Sequence, residues 1–417
     1  MTLSPTARAG AILAVISMSP LVVPLPITGL LFVAWLSAAV VDGRRARVAP
    51  TLQSSVPTIL SRGVPAALEV TVTAASEQVR VRQPAPPEIE IEPAEAGRGL
   101  VARVKGIRRG RYVLPRPAIS TEGPLGLVRA YHRAGSDKEI LVYPDVHAAL
   151  KIVVAVRRGG FGSVGRATGG PLGLGTDFES IRDYLPDDDV RQVNWRATER
   201  LGRPMSNQFR IEQDQDVICL VDCGRLMSAA IGDRTCLDEA LDAVTAIAMV
   251  ADEIGDRCGA VAFETTLARR LKPKRRGGRG VIRALFDLVP AMGDSDYEMA
   301  FRTIGRGGKR ALVLIFTDLI DESAAQALIN AVPLASRHHA VIVASTLDPE
   351  LSRAVATPPE ERHDVYAMAV ALQMLDERAR VISRIRHAGA VVLEAPPGRL
   401  GSACVRAYLS TKQRARL

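Results

Sequence analysis

The chain has 417 residues, which suits two or three domains. Its hydrophobic content of 47% excludes wholesale disorder, and its 4% aromatics leave aliphatic side chains to fill the core. The net charge is +9, and seven of the 54 cationic side chains are lysine and 47 arginine, a balance that suits anionic lipid, nucleic acid or an acidic partner without choosing among them.

From Ala9 to Val41 there are 33 residues without a charge. A single span needs about 20 residues. Pro20, Pro24 and Pro26 divide this region into apolar segments near 9–19 and 27–41, with a bend between them. Arg8 lies before it, and Arg44, Arg45 and Arg47 follow it. The positive-inside rule puts both flanks in the cytoplasm if the region is a hairpin. Residues 1–48 are therefore expected to form a multi-pass hairpin anchor in the cell membrane, with the soluble domains in the cytoplasm. A single span and a cleaved signal peptide are the alternatives.

Residues 49–150 alternate apolar and polar side chains with period two, as in 67–73, 78–82 and 88–92. Prolines and glycines punctuate the runs, so a small β-sandwich-like domain is predicted. Residues 151–215 read as a glycine-rich linker followed by a dense charged motif. The glycine-rich stretch 157–175 contains no lysine, which a phosphate-binding loop requires. From 216 to 417, apolar strands at 217–221, 259–263, 311–316, 340–344 and 390–393 alternate with helical patterns at 235–254, 279–290, 322–336 and 361–388. Buried strands joined by helices predict an α/β fold with a doubly wound parallel sheet, whose ligands bind beyond the strand carboxyl ends. The basic run 272–279 reads as a solvated loop, with contact to phosphates or lipid head groups as the alternative. The five cysteines lack a metal spacing, which points to a reducing compartment.

The charged motif spans 175–200 and contains Asp177, Phe178, Arg182, Tyr184, Asp188, Arg191, Trp195 and Arg200. Its arginines can pair with Asp177, Asp183 and the acids at 187–189 in bidentate fashion. Tyr184 and Trp195 offer an apolar body with a polar edge. Three readings stay open: an ion-pair network stapling the β domain to the α/β domain, a surface for a protein partner, or a catalytic carboxylate pair. The third is disfavoured because every acid has a basic neighbour that keeps it ionised.

This motif resembles the hallmark of the domain of unknown function 58 family, roughly G-x-[ED]-F-x-x-x-R-x-Y-x-x-G-D-x-x-R-x-I-x-W-x-x-x-A-R. Asp187, Val193 and Glu199 depart from that pattern. The segments 108–112 and 123–127 also resemble family landmarks, with Gly123 where an aspartate is usual. The resemblance implies a membrane hairpin, a β-rich segment and a von Willebrand factor A-like domain. It also implies a MoxR-type AAA+ ATPase as partner, beside other von Willebrand A-domain proteins.

A domain of that type holds Mg²⁺ through D-x-S-x-S at the first strand's end, a hydroxyl loop and a later aspartate. Here Asp222 is kept, while Gly224 and Leu226 stand in place of the serines. Ser295 supplies the loop hydroxyl and Asp318 the later acid. With three of five positions left, a degenerate metal site is expected, and no cofactor. The functional expectation is a non-enzymatic, membrane-anchored interaction or assembly factor of the cell envelope. A metal-dependent hydrolase using Asp222 and Asp318, and an anionic-lipid or nucleic-acid binder, are the alternatives. A charge run on one face would favour that binder, whereas the arginines are spread along the chain.

Overall fold

A computed structural model of the chain describes residues 2–21, 23–74, 78–158, 172–185, 193–210, 215–304, 310–319 and 322–413, with the side chains of 172–180, 208–210, 322–324 and 413 left aside. These residues divide into two compact units, Met1–Tyr143 and Pro144–Leu417. Together they form a mixed α/β protein.

The first unit contains β1 (Thr2–Pro5), α1 (Ala7–Met18), α2 (Leu25–Ala46), β2 (Thr51–Ser55), β3 (Ile59–Ser61), β4 (Ala66–Thr73), β5 (Val79–Arg82), β6 (Ile89–Glu92), β7 (Glu95–Ala96), β8 (Gly99–Gly106), β9 (Gly110–Leu114), β10 (Ala118–Glu122), β11 (Val128–Arg133) and β12 (Lys138–Tyr143). The strands form three sheets, in the orders β2-β4-β8-β6, β1-β11-β10-β5-β7 and β3-β12-β9. Period-two patterning sets which face is buried. In β4, Leu68, Val70 and Val72 point inward while Glu69, Thr71 and Thr73 face solvent. These residues join Val81, Leu100, Val104, Ile119, Ile140 and Val142 in one aliphatic core drawn from all three sheets.

Two apolar helices precede most of this sheet structure. One of them, α2, is long and apolar enough to cross a membrane by length and composition, while the helical segment Ala7–Leu21 is shorter. The three prolines lie where the bend was expected. Pro20 is in the short helical turn Ser19–Leu21, and Pro24 and Pro26 begin α2, where a missing N–H costs nothing.

The end of α2 is tied to the sheet by a buried carboxylate. Asp42 accepts from the N–H groups of Leu125 (2.7 Å), Leu127 (2.8 Å) and Val128 (2.9 Å) and is fully buried. A Cβ built on Gly123 would lie 2.2 Å from the Asp42 carboxylate. The glycine at 123 therefore has a local reason: the Asp42 side chain fills the space that a side chain there would need. Asp42→Ala leaves three donors without their acceptor and is expected to cost about 2–3 kcal/mol. Thermal unfolding of the detergent-solubilised chain checks this.

The second unit contains α3 (Val146–Arg157), β13 (Leu172–Asp183), α4 (Trp195–Leu201), β14 (Met205–Arg210), β15 (Asp216–Asp222), β16 (Ala230–Ile231), β17 (Arg234–Thr235), α5 (Cys236–Ile254), β18 (Arg257–Phe263), β19 (Leu267–Arg275), α6 (Gly278–Leu285), α7 (Tyr297–Ile304), β20 (Ala311–Phe316), α8 (Glu322–Ser336), β21 (Ala340–Thr346), α9 (Pro349–Ala356), α10 (Arg362–His387), β22 (Val391–Ala395) and α11 (Leu400–Gln413). Its main sheet runs β19-β18-β15-β20-β21-β22. All neighbours are parallel except the edge strand β19, which is antiparallel to β18. Both faces are covered, which is why the inner strands read as continuous apolar runs. Val217, Cys219 and Val221 of β15 pack with Leu241, Val244 and Ile247 of α5 on one face. Leu220 joins Val313, Ile315, Leu328 and Ile385 on the other.

Two sequence readings differ from this architecture. The β-rich unit ends at Tyr143, and residues 144–150 belong with the second unit. There Asp145 caps α3, its N–H donates to Asp242 of α5 (2.9 Å), and Arg157 at the other end of α3 pairs with Glu253 (2.7 Å). The basic run is not a loop: Lys272, Lys274 and Arg275 lie in β19. As an edge strand it tolerates both Pro273 and a solvated row of charges.

Candidate functional site

The main sheet brings Asp222, Ser295 and Asp318 to its carboxyl edge, each by a different element. Asp222 ends β15, Asp318 follows β20, and Ser295 precedes α7. Asp222 is 2% exposed, and both of its oxygens are engaged. Oδ1 accepts from the Gly224 N–H (2.7 Å) and from the Ser295 hydroxyl. Oδ2 accepts from the Tyr297 hydroxyl (2.6 Å) and from Thr317 Oγ1 (2.7 Å). A carboxylate has about four lone-pair sites, and these four contacts engage both of its oxygens twice.

Tyr297 is buried edge-on against Phe263, with ring centroids 5.4 Å apart. Its phenol is pushed well above the ordinary tyrosine range, first by burial and then by the Asp222 charge. The hydroxyl therefore stays protonated and remains a donor to Asp222.

Gly224 and Leu226 carry no side-chain oxygen, and the space at 224 is already taken. A Cβ built on Gly224 would lie 2.3 Å from Ser295 Oγ and 3.2 Å from Asp222 Oδ1. The Ser295 hydroxyl thus occupies the room that a residue-224 side chain would use. These residues do not fit a bound Mg²⁺, because the acid that would lead the ligand set has no free lone pair. Among the described residues, no group of three or more His, Cys, Asp or Glu side chains is arranged to hold a metal.

Asp318 is held separately. Its Oδ1 accepts from Arg378 Nη1 (3.1 Å) and from the Leu319 N–H (2.8 Å). Arg378 also donates to Glu394 Oε1 (2.6 Å), Ser345 Oγ (2.7 Å) and the Thr346 carbonyl (3.0 Å). Sequence reasoning missed both Tyr297 and Arg378. An arginine amid the apolar positions of a long helix was the available signal for Arg378, since arginine is rarely buried unless paired. Tyr297 had none beyond its place two residues after Ser295.

Cys236 lies beside Asp318, and its thiol is pushed from the ordinary 9.0 up to about 12, by burial first and then by the Asp318 charge. The folded state therefore holds this proton more tightly than the unfolded chain does. The stabilisation is complete below about pH 9 and is lost as pH rises towards about 12. Stability is expected to fall across that alkaline window, and less steeply in Cys236→Ala. Denaturant unfolding at stepped pH checks it.

A cavity of about 250 Å³ opens beside this cluster. Arg225, Leu226, Asp294 and Ser295 line it together with Asp222 and Tyr297. Arg225 is exposed and pairs with Asp294 at 2.6 Å. The site is thus a closed polar cluster with a charged, exposed rim.

Of the signature residues, Asp177, Phe178 and Arg182 lie on the strand β13, which pairs with β14, Tyr184 follows it, and Trp195 and Arg200 lie in α4. In β13, Asp177 aligns with Arg210 and Phe178 with Phe209 of β14. Asn194 caps α4 through the Ala197 N–H (3.0 Å) and donates to Asn207 (2.7 Å). Arg182 donates to the Asp183 carbonyl (3.0 Å), Tyr184 is half-buried, and Arg200 is exposed. Trp195 opens α4 and is 69% exposed, so it is not a core residue. Ile181, Leu185 and Leu201 are exposed nearby in sequence. Asp188 and Arg191 lie outside the described residues.

No curated protein matches the chain. Similar solved structures include the PKD domain of an M14-like peptidase from Thermoplasmatales archaeon SCGC AB-540-F20, at 14% identity over 22% of this chain and 91% of that one, with a TM-score of 0.16. The SrpA adhesin from Streptococcus sanguinis is 16% identical over 22% of this chain and 56% of that one, also with a TM-score of 0.16. A Bacteroides ovatus GH5 xyloglucanase is 9% identical over 87% of this chain and 100% of that one, with a TM-score of 0.15. Scores this low carry no argument about fold or function. Residues 180–380 match the family model described as "Protein of unknown function DUF58", and that match supports this family for the chain.

Proposed function

We propose that the protein is a non-enzymatic, membrane-anchored interaction or assembly factor. Its α/β unit is von Willebrand A-like, and its partner is a MoxR-type AAA+ ATPase of the cell envelope. The observation that carries the non-enzymatic reading is the saturation of Asp222. A carboxylate already serving four internal donors has no lone pair for a metal or for a substrate proton. Asp318 is likewise committed to Arg378. The von Willebrand A-like reading is supported by the main sheet's strand order and by Asp222, Ser295 and Asp318 meeting at its carboxyl edge.

Partner docking is assigned to that edge, where Arg225 and Asp294 stand exposed, because strand carboxyl ends present the loops used for binding. Capture of the AAA+ ATPase in the absence of nucleotide is expected to survive EDTA. It should fall at least about tenfold with Arg225→Glu, the scale of losing a charged hot-spot contact. Release by EDTA alone would sink this reading and restore the metal.

The anchor reading is a hairpin with both soluble units on the cytoplasmic side. Its support is that β1, which precedes the apolar helices, pairs with β11 of the same sheet that receives the end of α2. With 12 residues, α1 reaches about 18 Å, short of the roughly 30 Å hydrocarbon layer, which favours a shallow or re-entrant first arm.

A further inference from the structure

The base of the apolar hairpin carries four arginines that the fold brings to one place. Arg8 lies in the first turn of α1, and Arg44 and Arg45 in the last turn of α2, with Arg47 at its cap. The loop 123–128 meets Arg8 at the start of α1 and Asp42 near the end of α2. The Arg8 guanidinium approaches to 3.3 Å of a Cβ built at Gly126, and Asp42 is wrapped by the N–H groups of the same loop. Thr6, just before α1, hydrogen-bonds the loop at both ends of its own backbone and side chain: its N–H donates to the Leu127 carbonyl (3.0 Å) and its hydroxyl to the Gly126 carbonyl (2.5 Å).

All four arginines are exposed, and none makes an ion pair with a described residue. By contrast, Arg129 on the neighbouring strand is paired with Glu122. Beyond the four, the helices expose many large apolar side chains, Ile12, Val15, Leu21, Leu25 and Leu30 among them. A collar of exposed cations below an exposed apolar tip matches the layering of a membrane face, where phosphates lie above hydrocarbon.

We propose that Arg8, Arg44, Arg45 and Arg47 bind the phosphate groups of anionic phospholipids in the leaflet that the hairpin enters. The inference rests on the membrane-anchor reading above. It adds a lipid class and assigns the residues that select it. A nucleic-acid backbone offers the same charge, but it offers nothing to the apolar side chains beside the collar.

The test uses the full chain, transferred from detergent to preformed vesicles and recovered by flotation. One set is phosphatidylcholine alone, and the other includes phosphatidylglycerol. Each basic residue near an anionic surface contributes severalfold, so a preference of at least about tenfold for the anionic set is expected, shrinking in high salt. Replacing all four arginines with glutamine should abolish the preference and leave association with neutral vesicles unchanged. Replacing them with lysine should retain it. Equal partition of the wild type, or a preference that survives the glutamine variant, overturns the inference. Displacement by excess inorganic phosphate at constant ionic strength reassigns the collar to free phosphate and also overturns it, as does RNA capture that depends on the same arginines and competes with vesicles. Failure to associate with either vesicle overturns the anchor reading itself.

Discussion

Asp222→Ala is expected to destabilise the protein by about 3–5 kcal/mol, because it strands four donors in a buried site. The Gly224 N–H and the hydroxyls of Ser295, Tyr297 and Thr317 all point at this one carboxylate. Tyr297 is buried, and Thr317 is its other polar neighbour among the described residues (2.7 Å), so losing the carboxylate leaves these hydroxyls without their shared acceptor. Denaturant unfolding measures the loss. Asp222→Asn should retain part of the stability, because its carbonyl still accepts while its amide faces donors. A fully stable Asp222→Ala would show that the cluster is not a structural keystone.

Arg378→Met is expected to cost a similar amount, about 3–5 kcal/mol, the range for removing one partner of a buried ion pair. Arg378 and Asp318 are both more than nine-tenths buried at the side chain, and Glu394 is partly exposed. The methionine fills the aliphatic volume but leaves Asp318 facing Ser345 and the Leu319 N–H without its countercharge. Combining Arg378→Met with Asp318→Asn should cost less than the sum of the two single changes, since the second removes the stranded charge. Additive losses would separate the two residues energetically.

These two residues also show where reading the sequence succeeds and where it stops. The strands at 217–221 and 311–316 were legible because both of their faces are buried, which leaves a continuous apolar run. Asp222 and Asp318 were legible because each directly follows such a run. The partners that decide what those acids do were not. Tyr297 reaches Asp222 across 75 residues of chain and Arg378 reaches Asp318 across 60, and no local pattern encodes either contact. Gly224 read as a lost ligand, whereas a side chain there would have to displace the Ser295 hydroxyl, 2.3 Å from its Cβ. β19 was obscured by its charges and by Pro273, features that an edge strand accommodates and a central one does not. In the first unit the alternation of β4 and β8 was plain. The strand β1 was not, because four residues ahead of an apolar helix carry no period of their own.

The most direct test of the closed-site account is titration calorimetry of Mg²⁺ into the detergent-solubilised full chain. Because both Asp222 oxygens are already engaged by internal partners, no saturable heat is expected, with wild type and Asp222→Asn giving the same trace. Micromolar Mg²⁺ binding in the wild type that disappears in Asp222→Asn would contradict it.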